Sequence, residues 1–248
     1  MNQEQATVPP LLYENPACIV VNKRCGDAME GATPSVVDLP ALLAATWGVG
    51  RNRDGKPFPP TAVHRLDVPV TGCALFARTP QALAFLNDAF AQSLARKVYW
   101  AIVEKPDSSI PALESQGELV HWISVDSRHN KSYAHTEERS DRKRAVLRYR
   151  VIGQGDHYLF LEIGLITGRH HQIRAQLAAL GLHIKGDLKY GSRRSEKNGG
   201  IRLHARSLAF PDPLSDITDP AKRPLIQVVA PLIEPDRLWQ DFERAAQV

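Results

Sequence analysis

Two short segments of this 248-residue chain hold side chains that could do chemistry. The first is Val63-His64-Arg65-Leu66-Asp67, followed by Val70-Thr71-Gly72 and an apolar run. It sets one carboxylate beside a cation on a loop entering a buried strand, where a rigid scaffold can present a reactive group. Read as plain surface, Asp67 would cap a turn and Arg65 would be a solvated cation. The second segment is Thr167-Gly168-Arg169-His170-His171-Gln172-Ile173-Arg174, a hydroxyl, two arginines and two histidines in the first turns of an expected helix. Adjacent histidines do not share a helix face, so His170 and His171 are poor joint metal ligands. Arg169 falls near the helix N-terminus, where the dipole repels cations, so an anionic partner is expected. Asp67 is the candidate. Two more segments, Gly181-Leu182-His183-Ile184-Lys185-Gly186-Asp187-Leu188-Lys189-Tyr190-Gly191 and Arg202-Leu203-His204-Ala205, read singly as a turn and a strand edge.

Other chemistries lack support. There is no P-loop, GxGxxG, GxSxG or HExxH pattern, so nothing points to nucleotide hydrolysis, dinucleotide chemistry or a zincin. The nine histidines are scattered without ligand spacing, which weighs against a metal-dependent hydrolase. Cys18, Cys25 and Cys73 form no CxxC pair, and their odd number argues against a disulfide framework. No uncharged apolar stretch reaches the roughly 18 residues that span a bilayer. The first ten residues lack the basic-then-apolar pattern of a secretory signal, so a cytoplasmic protein is expected.

Net charge is +4, from 31 Lys and Arg against 27 Asp and Glu. Its distribution is uneven. From Thr167 to Arg206 nine bases face two acids, or +7; from Arg128 to Arg150 eight face three, or +5; from Ser207 onward four face seven, or −3. Tyr133, His135, Tyr149, His170, His171 and Tyr190 lie in or beside the basic stretches. Phosphate-pairing cations mixed with rings that can stack on bases suit single-stranded RNA.

These residues need elements to hold them. Strands are expected at 18–22, 72–77, 97–103, 118–123, 145–151, 157–165, 201–210 and 225–230, from β-branched or alternating runs. Helices are expected at 36–47, at 80 onward behind a Thr79 cap with Pro80 at its first position, at 169–180, and at 235–246. Gly153-Gln154-Gly155-Asp156 reads as a hairpin turn. Residues 107–141 read as polar and irregular with a strand or two. The pattern predicts an α+β fold with a mixed, mostly antiparallel central sheet flanked by helices. A loose tail over 1–10 and a single domain over 11–248 are expected.

Taken in order, the segments resemble the RluA-type family of RNA pseudouridine synthases. Its members carry HRLD and a TSG-like triplet, a Lys-x-Tyr strand, a TGRTHQIR helix start, a GHPIxGDxxYG segment and an LHA strand. The equivalents are His64 to Asp67, Val70 to Gly72, Lys97-Val98-Tyr99, Thr167 to Arg174, Gly181 to Gly191 and Leu203 to Ala205. Leu12-Tyr13-Glu14 and Ile19-Val20-Val21-Asn22-Lys23 resemble the family's first strand. The chain departs from the pattern at Arg24, where proline is usual, and at His170, where threonine is usual.

The resemblance implies a pseudouridine synthase catalytic domain without the S4 domain some members carry. The implied reaction breaks the uridine N1–C1′ bond, turns the base and joins C5 to C1′, with no metal or nucleotide cofactor. Asp67 would be the catalytic carboxylate, either attacking C1′ or acting as a base on the sugar. Arg169 would be its partner. Tyr99 would stack on the uracil and take part in late proton removal at C5. Arg65 would fill the space left by the flipped base. His64, Lys97, His171, Arg174, Lys185, Lys189, the 192–200 loop and Leu203 would line the RNA side. The partner implied is a ribosomal or transfer RNA stem-loop, with no membrane, and the protein is expected to act as a monomer. The competing reading is a catalytically silent RNA-binding module of the same fold.

Overall fold

The computed structural model describes residues 7–31, 37–105 and 113–247. In chain order its main strands are β1 (Leu11–Glu14), β2 (Cys18–Lys23), β3 (Thr71–Ala77), β4 (Arg96–Glu104), β5 (Gln116–Asp126), β6 (Lys131–His135), β7 (Lys143–Gln154), β8 (Tyr158–Leu165), β9 (Leu203–Pro211) and β10 (Leu225–Val229). The helices are α1 (Leu39–Trp47), α2 (Pro80–Ala91), α3 (Gln172–Ala179) and α4 (Arg237–Ala246). Every pairing with a described register is antiparallel except the two-residue pair Asp27–Ala28 with Val37–Asp38. This is the expected α+β class.

The chain divides into two compact units, where the sequence suggested one domain. The first holds the chain up to Arg96 together with Ala205–Pro231; the second holds Lys97–His204 and the chain from Leu232. In the first unit the strand order is β1-β2-β3-β9, with β10 on β9. β2 is buried along its whole length and β3 nearly so, which is why Cys18–Val21 and Cys73–Ala77 read as apolar runs. α2 starts as its residues dictate: Pro80 opens it, and the Thr79 hydroxyl accepts from the Ala82 amide at 3.1 Å. Leu86 packs from α2 with Val20, Leu75, Leu208 and Phe210 in one core.

In the second unit the order is β4-β8-β7-β5-β6. α3 lies against β5 and β6, and Gln176 donates to the Leu119 carbonyl at 3.1 Å. A separate aromatic core joins Trp100 and Ile102 of β4 and Phe160 of β8 to Trp239 and Phe242 of α4. Asp236 caps α4 by accepting from the Trp239 amide at 3.1 Å.

Three expectations shift. α3 begins at Gln172 instead of 169, because His171 takes a left-handed φ of 51° and the Gln172 side chain accepts from the Arg169 amide at 2.9 Å. The stretch expected to be irregular with a strand or two holds two, β5, which runs past the expected 118–123 at both ends, hairpinned to β6; residues 106–112 lie outside the described residues. α1 starts at Leu39, and 32–36 likewise lie outside. Of the expected tail, 1–6 lie outside, the Thr7 hydroxyl accepts from Arg24 at 2.7 Å, and the Pro10 carbonyl accepts from the Asn22 amide at 2.8 Å.

Candidate active site

In the first unit, Asp67 sits in the turn before β3. Val63 donates to the Leu75 carbonyl at 3.0 Å and Val70 to the Asp67 carbonyl at 2.9 Å, closing the turn. Leu66 and Val70 are buried, Asp67 is half-buried and Arg65 is exposed. Alternation between buried and accessible positions thus aims the carboxylate out of the core while its neighbours anchor it.

The strongest support for this turn comes from a residue outside the expected set. Lys23, at the end of β2, is 0% exposed, and its Nζ donates to the carbonyls of Val70 at 2.7 Å, Val68 at 3.0 Å and Arg24 at 3.0 Å. Gly26 adds an amide bond to the Val68 carbonyl at 3.0 Å. Burial pushes the Lys23 ammonium down to about 8, against the pull of the anions Asp27, Cys25 and Asp67. A buried cation fixed by three carbonyls shapes the loop that carries Asp67. A lysine closing an apolar strand was the available signal, because such a charge needs partners.

Gly72 explains the triplet that follows Asp67. Its φ is 110°, and a Cβ there would fall 2.3–2.8 Å from backbone atoms of Ala205. Gly72 and Ala205 therefore meet backbone to backbone, which only glycine permits.

In the second unit, Lys97 and Tyr99 are two residues apart on β4 and share a face. Lys97 pairs with Leu165 and Tyr99 with Ile163, at the end of β8 that leads into Thr167-Gly168-Arg169. A Cβ on Gly168 would lie 3.1 Å from Lys97 Nζ, so the glycine makes room for the ammonium. Burial lowers the pKa of Lys97. Tyr99 is buried and stands on that same face. The turn itself is knotted: the Thr167 hydroxyl accepts from the Val146 amide at 2.9 Å and donates to Gln172 Oε1 at 2.7 Å. Arg169 is exposed, with Nε donating to the Arg144 carbonyl at 3.1 Å.

The expected RNA contacts differ in how far internal partners already hold them. Arg174 is buried and bidentate on Asp187, at 2.7 and 2.8 Å, so it serves an internal ion pair. Lys185 is paired with Glu196, which also takes Arg202 at 2.7 Å. His171 is buried and bonds the Tyr190 hydroxyl at 2.9 Å. Leu203 is 3% exposed and belongs to the core. His64 Nε2 accepts from the Leu75 amide at 3.2 Å and its ring stacks on Phe90, which makes it an anchor of the Asp67 turn. Lys189 is exposed and donates to the His129 and Asn130 carbonyls at 3.3 and 3.2 Å. Of the loop at 192–200, Arg193, Arg194 and Lys197 are exposed.

Among the described residues no group of three or more His, Cys, Asp or Glu is placed to hold a metal ion. No described helix is long and apolar enough to cross a membrane.

Comparison with known proteins identifies the family to which these segments belong. Residues 17–179 match the model of the family described as RNA pseudouridylate synthase, a stretch that runs through both units and includes Asp67, Tyr99 and Arg169. The chain belongs to the RNA pseudouridylate synthase family. An uncharacterised RNA pseudouridine synthase of Zymomonas mobilis is 35% identical over 156 residues, 60% of this chain and 66% of that protein. The ribosomal large subunit pseudouridine synthase C of Rickettsia conorii is 32% identical over 197 residues, 77% of this chain and 59% of that protein. The chain thus spans less than two thirds of these relatives' lengths. Among solved structures, human RNA pseudouridylate synthase domain containing 4 superimposes with a TM-score of 0.66 at 21% identity, covering 96% of this chain and 92% of that one. That likeness is one of fold.

Proposed function

We propose that this member of the pseudouridylate synthase family is a working RNA pseudouridine synthase, with Asp67 as its catalytic carboxylate. The observation that carries the reading is the half-buried Asp67 on a turn whose carbonyls are gripped by the buried Lys23 ammonium. Such a turn holds the carboxyl group at a fixed angle, which a passive surface aspartate would not need.

The substrate uridine leaves its stack, at a cost of a few kcal/mol, to reach the acid. The exposed Arg65, two residues before Asp67, fills the vacated space. Asp67 then acts at the sugar as the N1–C1′ bond breaks. The freed base turns, C5 bonds to C1′, and the proton on C5 leaves while N1 gains one, so the sum is an isomerisation. Tyr99 lies against the base and takes part in moving the C5 proton. We assign Arg169 the role of orienting cation for the catalytic carboxylate, as the family resemblance implies. Lys97, Lys189 and the exposed cations Arg193, Arg194 and Lys197 face the phosphates of a ribosomal or transfer RNA stem-loop.

The reading is tested by pseudouridine mapping of total RNA from cells with and without the gene. At least one uridine is expected to lose its modification when the gene is deleted. An unchanged map would leave the silent RNA-binding module as the better reading.

A further inference from the structure

His170 has no part in the reaction above, yet both of its ring nitrogens are engaged. Its Nδ1 is 2.8 Å from Ser132 Oγ and its Nε2 is 3.1 Å from Asn130 Oδ1. Both partners belong to the β5–β6 hairpin. Asn130 sits in its turn with a φ of 47°, and Ser132 is buried in β6. The amide oxygen can only accept, so Nε2 carries a proton and Nδ1 is free to accept from the Ser132 hydroxyl. The His170 ring also stacks on His171, with centroids 3.8 Å apart.

The same hairpin is held at two further points. The Tyr190 hydroxyl accepts from the Ser132 amide at 2.8 Å, and Lys189 Nζ donates to the Asn130 carbonyl at 3.2 Å. β6 ends the strand order of its sheet, so these bonds cover an edge that would otherwise lie open. The result is that a cationic turn is fixed against the start of α3. Arg128 is exposed there, and the Lys131 ammonium is 5.4 Å from the Tyr133 ring centroid and 5.2 Å from that of Tyr190. Asp126, the acid in this turn, is occupied by the His129 ring at 2.7 Å and by the Arg128 amide at 3.0 Å.

We propose that His170 is a positioning residue for RNA: it fastens the β5–β6 turn to the turn before α3, so that Arg128 and Lys131 meet one RNA strand as a preorganised set. This rests on the RNA-modifying reading above. Charges held in place before binding lose less freedom on contact, so the same cations bind more tightly when clamped.

The test is a mutant cycle on affinity for a fluorescein-labelled oligouridine, followed by anisotropy over a range of salt. Arg128→Ala with Lys131→Ala should weaken binding about 10-fold and lower the salt slope by about 1.4. His170→Ala alone should produce the same weakening and slope, although it removes neither of those two cations. Adding it to the double variant should cost little more, since the effects are coupled through one contact. Asn130→Gly keeps the left-handed turn and removes the Oδ1 acceptor, and Ser132→Ala removes the other partner. Each should weaken binding in part, which keeps the test valid if His170→Ala folds poorly. On a mapped RNA substrate His170→Ala should raise KM while kcat stays within about twofold. Full affinity in His170→Ala, or losses that simply add, would overturn the clamp while leaving the enzyme reading intact. A wild-type protein that makes no pseudouridine would overturn the enzyme reading, and the cycle would still report on the clamp.

Discussion

Lys23 Nζ donates to the carbonyl of Val70 at 2.7 Å, three residues beyond Asp67, from a position fully closed to solvent. A neutral amine has two hydrogens for the three carbonyls that Lys23 serves, so the turn depends on the charged form. Burial sets that charge to be lost near pH 8, well below an ordinary lysine. The rate of pseudouridine formation should therefore fall as pH rises through about 8. Stability follows the opposite sign. Between about 8 and 10.5 the unfolded chain binds the proton and the folded one does not, so this group's contribution to stability rises with pH. Lys23→Met should destabilise the protein by about 1–3 kcal/mol through the carbonyls left unpaired. It should also remove the alkaline limb of the rate profile, which activity measured from pH 6 to 10 would show.

Arg174 and Asp187 form a bidentate pair at 2.7 and 2.8 Å with both side chains buried. Arg174→Met leaves a carboxylate without its partner inside the fold and should cost about 3–5 kcal/mol in urea unfolding. Pairing it with Asp187→Leu should recover much of that loss. In the double variant the salt slope for RNA binding should match the wild type. A slope lower by about 0.7 would show that Arg174 meets a phosphate after all.

His121 is buried, and its Nδ1 accepts from the Gln176 amide nitrogen at 3.1 Å. Burial lowers its pKa, so the folded protein resists its protonation. Stability should be full above about pH 6.5 and should decline as pH falls below that, at up to about 1.4 kcal/mol per pH unit for this one proton. His121→Gln removes the titrating ring and should flatten this part of the urea-midpoint profile between pH 7.5 and 5.

The core strands were legible because β2 and β3 are apolar on both faces, and α2 because Thr79 and Pro80 mark its start. The Asp67 segment stood out as a carboxylate beside a cation before an apolar strand, but a catalytic role for it came only from the ordered resemblance of several segments to the family, since alone it reads equally as a surface turn. Partners were not legible. Arg174 and Arg169 look alike in sequence, and only the fold shows that one is buried on Asp187 while the other stays exposed. Lys23 was hidden for the same reason: its three acceptors are backbone carbonyls, two of them some 45 residues away, and carbonyls have no sequence signature. The late start of α3 came from a side-chain knot between Thr167 and Gln172, which overrode a helical pattern that began at 169.

The central claim is that the Asp67 carboxylate performs the isomerisation. Asp67→Asn keeps the size and turn geometry of the side chain and removes its charge. RNA from a deletion strain should be treated with wild-type and Asp67→Asn protein and read by carbodiimide modification and primer extension. The wild type should restore the missing pseudouridine, while Asp67→Asn should bind the RNA with similar affinity and form none. Restoration by Asp67→Asn at the wild-type rate would contradict the account.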